Sequence, residues 1–134
     1  MIVLDTNIVL DLLLFDDPAA KPLGAALEAG SLQWLATIAM REELQRVLGY
    51  RQIVSRLAHY RRSAEEVLAQ FDRLARLHPV SPKAGVTCVD PDDQKFIDLA
   101  VAHRAPLLSK DRAVLCMAKR LHAQGVRVAL ALPL

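Results

Sequence analysis

The run VTCVDPDDQKFIDLAVAHRAPLLSKDRAVLCMAKRLHAQGVRVAL, residues 86–130, alternates short apolar stretches with longer segments of helical periodicity. Residues 86–89 read as a strand, and the acids from Asp90 to Asp93 open a helix carrying Phe96, Ile97, Leu99, Ala100 and Val101. Residues 106–108 read as the next strand. Asp111 then opens a second helix through Val114, Leu115, Ala118 and Leu121, which Gly125 closes before a last strand at residues 126–130. Strands separated in this way by helices pair in parallel, with the helices packed on the sheet faces.

The first half fits the same plan. MIVL, residues 1–4, is an apolar run of the kind buried on both faces of a sheet, and it ends abruptly in Asp5. Thr6 and Asn7 are turn or cap residues, after which Ile8, Val9, Leu12 and Leu13 recur with helical spacing. Asp16, Asp17 and Pro18 break that helix and start another, with Ala19, Leu23, Ala26 and Leu27 inward and Gly30 at its end. Residues 32–36 read as a second strand, and Thr37 caps a helix with Leu44, Val47 and Leu48 on one face. More helix follows through Ile53, Val54 and Leu57. Ser63 with Glu66 forms a capping box for a helix reaching about Leu77, and Pro79, Pro82 and Gly85 mark a loop. The expectation is an α/β fold: a three-layer, Rossmann-like α/β/α sandwich around a central parallel sheet, with residues 1–134 as a single domain.

Composition narrows the class. At 134 residues and 53% hydrophobic, the chain can build a full core without disulfide staples. Cys88 and Cys116 are the two cysteines, without metal-site spacing, and read as small apolar core residues in a reducing cytoplasm. No apolar run is long enough to span a bilayer, and Asp5 and Asp11 interrupt the N-terminal stretch, against a signal peptide. His59, His78, His103 and His122 lie in separate segments with no partner motif. The net charge of +2 says little, but Arg41, Arg46, Arg51, Arg56, Arg61 and Arg62 cluster in one stretch. Their five-residue spacing drifts around a helix, so a solvated surface and a phosphate-binding face are equally good readings.

Asp5, Asp93 and Asp111 share one context: each lies just beyond an expected strand, or at the start of the helix that follows it. In an open parallel sheet those positions converge on the edge where ligand crevices form, and Glu43 can reach the same edge. Taken singly, Asp93 and Asp111 serve as helix caps as readily as ligands. Asp5 is harder to explain that way, because a carboxylate against a buried strand is costly unless paired or bound to a cation. Several such groups in one crevice take up protons or hold a metal, and all-oxygen ligation suits Mg²⁺ or Mn²⁺ better than zinc. Magnesium held by carboxylates points to phosphate chemistry. Asn7 and Ser109 flank the acids and can orient them, or act as plain turn and cap residues.

Four segments in order, LDTN (residues 4–7), EELQRVL (42–48), DPDDQKFIDLA (90–100) and LLSKD (107–111), resemble the PIN-domain family over nearly the whole chain. The resemblance lies closest to the branch described as toxins of toxin–antitoxin pairs, related to VapC-like ribonucleases. By motif, Asp5, Glu43, Asp93 and Asp111 match the family's metal-binding and catalytic acids. Asn7 and Ser109 match positions supporting the site, and Asp90 ranks ahead of Asp92 as an accessory ligand. Thr37 departs from the Ser common in this branch but keeps the hydroxyl. The resemblance implies a cytoplasmic endoribonuclease that uses one or two Mg²⁺ or Mn²⁺ ions, a homodimer, and a small antitoxin protein as partner. Arg41, Arg46 and Arg51 would contact the RNA backbone. Two other readings compete: a non-catalytic PIN-fold module binding nucleic acid or protein, and a haloacid-dehalogenase-like phosphatase. The phosphatase wants a second Asp where this chain has Asn7.

Overall fold

The computed structural model describes residues 1–133. Strands β1 (Ile2–Leu4), β2 (Trp34–Ala36), β3 (Ala75–Leu77), β4 (Leu107–Leu108) and β5 (Val128–Ala129) form one sheet in the order β3-β2-β1-β4-β5. Every pairing is parallel. β1, β2 and β4 are buried along their whole length, which explains their uninterrupted apolar sequences, whereas β3 and β5 are partly exposed edges.

The helices are α1 (Thr6–Leu13), α2 (Lys21–Glu28), α3 (Ile38–Leu48), α4 (Arg51–His59), α5 (Ala64–Leu74), α6 (Gln94–His103), α7 (Arg112–Leu115) and α8 (Ala118–Ala123). From β1 the chain steps outward through β2 to β3, then returns across β1 to β4 and β5. Right-handed crossovers in opposite directions place α1–α5 on one face and α6–α8 on the other. The first group packs on itself, with α1 touching α2, α3 and α5, while α6 lies on β1 and β4. The strand order reverses at β1, so a crevice opens at its carboxyl end, between β1 and β4. Behind it the core is dense: Trp34 of β2 meets Phe71 of α5 edge to face at 4.9 Å.

Local chemistry sets the helix starts. The Asp5 side chain accepts from the Thr6 amide, Thr37 from that of Met40, and Asp111 from that of Ala113, each capping the helix it precedes. Ser63 and Glu66 make the full capping box. Gly125, with φ of +81°, ends the α8 segment in a conformation that glycine adopts without steric cost.

Several expected elements differ. Residues 86–89 do not form a strand; their backbone is satisfied by side chains of α6 instead. Gln94 accepts from the Cys88 amide at 2.7 Å and donates to the Val86 carbonyl at 3.0 Å. Asp98 accepts from Gln94 and from the Ala84 amide, both at 2.8 Å. The fifth strand comes from residues 75–77, which the helical pattern had run into α5; there the ladder with β2 wins over helix continuation. The long helix after Asp111 is two short ones, broken at Cys116 and Met117. Ala19 and Ala118 are exposed rather than inward, and Val54 is 49% exposed. Of the two cysteines expected in the core, Cys88 is buried but Cys116, at the break between α7 and α8, is exposed. Of the apolar tail at residues 129–134, Ala129 ends β5 and Leu134 lies outside the described residues.

If Gln94 is the clamp on this loop, Gln94→Leu costs about 1–3 kcal/mol in urea unfolding and speeds hydrogen exchange at the Cys88 amide. Unchanged exchange there contradicts the assignment.

Candidate metal centre

The crevice at the β1–β4 carboxyl edge is where the acids meet. Asp5 follows β1 directly, Asp111 lies three residues beyond the end of β4, and Asp93 sits at the start of α6, which packs across both strands. Carboxylate oxygens of the three lie within 4.8 Å of one another. Asp5 and Asp93 are buried, and Asp111 is half-buried.

Their surroundings differ in a way that matters chemically. Asp5 is held at both oxygens: Oδ1 accepts from the Thr6 amide at 2.7 Å and Oδ2 from the Ser109 hydroxyl at 2.6 Å. Ser109 is fully buried and also accepts from the Asp111 amide at 3.0 Å, so one hydroxyl links two acids. Asp111 Oδ1 takes the Ala113 amide at 2.9 Å. Asp93 Oδ2 is buried and has no hydrogen-bond partner among the described residues. A buried oxygen left this way costs free energy unless a proton or a cation occupies it.

Protonation follows from the crowding. Burial raises the Asp5 carboxyl above its ordinary value; Ser109 and the Thr6 amide oppose this, and the charges of Glu43 and Asp111 add to it. Asp93 is pushed up to about 8, first by burial, then by the hydrogen bond its protonated form can make to Asp111 and by the charges of Asp5, Asp111 and Asp90. Without a cation the cluster therefore keeps a proton near neutral pH. Three carboxylates with one unpartnered buried oxygen fit a hard divalent cation.

Glu43 lies beside this group but outside it. Its Oε1 accepts from Lys95 Nζ at 2.6 Å and its Oε2 from the Thr6 hydroxyl. Asp90 caps the turn at Pro91–Asp93 by accepting from the Asp92 amide at 3.0 Å, and Asp92 is exposed. Asn7 Oδ1 accepts from the Lys110 amide at 3.2 Å and so ties the start of α1 to the loop bearing Ser109 and Asp111. Arg41 is engaged by Asp72 through two hydrogen bonds of 2.7 and 2.9 Å. Arg46 and Arg51 are exposed, without a side-chain partner among the described residues.

Four residues have partners here that the sequence pattern does not assign them. Lys95 and Thr6 hold Glu43, and buried Asp11 pairs with Lys110 at 2.6 Å. Thr6 and Lys95 stand inside quoted motifs, but only the folded arrangement brings them to Glu43.

The raised Asp93 carboxyl makes stability depend on pH. Its folded value of about 8 exceeds the ordinary 3.8, so its contribution is full below the lower value and is lost as pH rises through the upper one. In a chelator, Asp93→Asn is therefore more stable than the wild type at pH 8, and the difference shrinks toward pH 4. Thermal melts of the two proteins across that range check this; parallel curves contradict it.

The comparisons agree with the geometry. The sequence profile of the PIN-domain family matches residues 1–113, from β1 into α7, and so contains Asp5, Glu43, Asp93 and Asp111. A comparison with curated proteins yields no match. No helix among the described residues is long and apolar enough to cross a membrane. With the profile covering most of its length and the parallel sheet that the family implies, the chain belongs to the PIN-domain family, whose members are generally nucleases.

Proposed function

We propose that this chain is a metal-dependent endoribonuclease whose centre is formed by Asp5, Asp93 and Asp111, with Glu43 as the adjoining fourth acid. The observation that carries the reading is the unpartnered, buried Asp93 oxygen within a cluster of three carboxylates. One or two Mg²⁺ or Mn²⁺ ions would supply Lewis-acid activation of the phosphodiester and of water. The chain's own residues supply the geometry. Ser109 fixes the orientation of Asp5 and positions the Asp111 amide, which sets the two acids against each other. Asn7 steadies the loop carrying Asp111. Asp90 adds negative charge beside Asp93 as an accessory to the site. Exposed Arg46 and Arg51 are suited to backbone phosphates, a role Arg41 shares less readily while Asp72 engages it.

RNA as the substrate, a homodimer, and a small antitoxin as partner are further parts of the proposal. The likeness of LDTN, EELQRVL, DPDDQKFIDLA and LLSKD to the toxin branch of the family supports them. A small upstream gene for a DNA-binding protein would support the toxin role.

The test is cleavage of a labelled RNA and of the DNA of the same sequence, with Mn²⁺ and with chelator. The wild type cleaves the RNA only with metal. Asp5→Asn and Asp93→Asn each lower kcat/KM by about 100-fold or more, as expected for loss of a metal worth several kcal/mol. Variants that cleave as well as the wild type overturn the site. A wild type that binds RNA without cutting it favours the non-catalytic module.

A further inference from the structure

Glu43 is the matched acid that the three-carboxylate cluster leaves out, and the reason lies on α6. Lys95, two residues beyond Asp93, reaches across to Glu43 Oε1 at 2.6 Å and also donates to the Asp92 carbonyl at 2.5 Å. The Thr6 hydroxyl engages Oε2, so both Glu43 oxygens already have donors. The pair is mostly buried, with side-chain exposures of 24% for Lys95 and 16% for Glu43. An ion pair in such a place is stable as a pair, and a partner left alone is costly.

We propose that Lys95 is the resident counter-ion of Glu43 and that it competes with a divalent cation for this carboxylate. The inference rests on the metal-site reading above and adds a residue that sets how tightly the site binds. A dication among Asp5, Asp93 and Asp111 attracts the Glu43 carboxylate and repels the ammonium beside it. Glu43 can join the ion only by giving up the Lys95 contact or by drawing the ammonium toward the cation, and both weaken metal binding. Lys95 can leave, because its stem is flexible and about a quarter of its side chain is exposed. The Asp92 carbonyl is neutral and does not replace the lost charge. Lys95 thus acts on the metal through Glu43, as a positioning residue.

The experiment is calorimetric titration of Mn²⁺ into the full chain as wild type, Lys95→Met, Glu43→Gln and the double variant. Lys95→Met is expected to bind Mn²⁺ about tenfold more tightly than the wild type, the order of coupling found between charges in direct contact. In the Glu43→Gln background the same substitution changes affinity by less than about twofold, since the carboxylate it acts through is gone. Lys95→Arg keeps the wild-type affinity. Lys95→Gln replaces Lys95→Met if a thermal melt shows the latter unfolded. Equal or weaker binding by the Lys95 variants overturns the proposal. So does an equal gain in both backgrounds, which is plain repulsion between lysine and metal. A wild type that binds no Mn²⁺ at millimolar concentration overturns the metal site itself; binding by the wild type with no Lys95 effect overturns this inference alone.

Discussion

Three carboxylates within 4.8 Å of one another, two of them buried, is an arrangement that a fold must actively maintain. Two full charges at that distance repel by roughly 3 kcal/mol at an effective dielectric of about 20, before any desolvation is counted. The protein meets this load in three ways. Asp5 and Asp111 lie at helix N-termini, where free amides and the helix dipole favour negative charge. Ser109, fully buried, donates its hydroxyl to the Asp5 carboxylate and accepts from the Asp111 backbone amide. Asp93 also stands at a helix start, but its buried oxygen takes no amide or hydroxyl, and burial with its acidic neighbours pushes its carboxyl up to about 8.

The rest of the architecture serves to keep those groups from moving apart. A parallel order with β1 at its centre brings the carboxyl ends of β1 and β4 side by side. The buried strands fix where Asp5 and Ser109 emerge, and α6, packed across β1 and β4, delivers Asp93 from the opposite face. Edge-to-face packing of Trp34 on Phe71 stiffens the α5 side of the sheet, behind α3 and its Glu43. The three acids sit at a rim of loops and helix starts, and the regular elements behind them hold that rim in place.

How much of this could be read from the residues alone varies with the range of the interactions. MIVL before Asp5 and PLLSK before Asp111 carry both the strand and the acid that follows it, so these positions were legible from local pattern. VTCV has the composition of a strand, yet Gln94 takes up the Cys88 amide and the Val86 carbonyl, and Asp98 holds Gln94 and the Ala84 amide just before the stretch. ARL at residues 75–77 continues a helical pattern smoothly, and its exchange into β3 depends on β2, some 40 residues earlier in the chain as parallel-pair register makes plain. Glu43 was identified by its motif. That it faces Lys95, 52 positions away, could not be, because a lysine on a helix pairs with whatever the fold puts before it.

A divalent cation among Asp5, Asp93 and Asp111 takes the place of the proton that burial and crowding favour on Asp93. Titrating Mn²⁺ at pH 7 by calorimetry in buffers of different ionisation enthalpy measures the protons exchanged on binding. Release of about one proton per site filled is expected, and its loss in Asp93→Asn. Binding without proton release, or release unchanged in that variant, would contradict it.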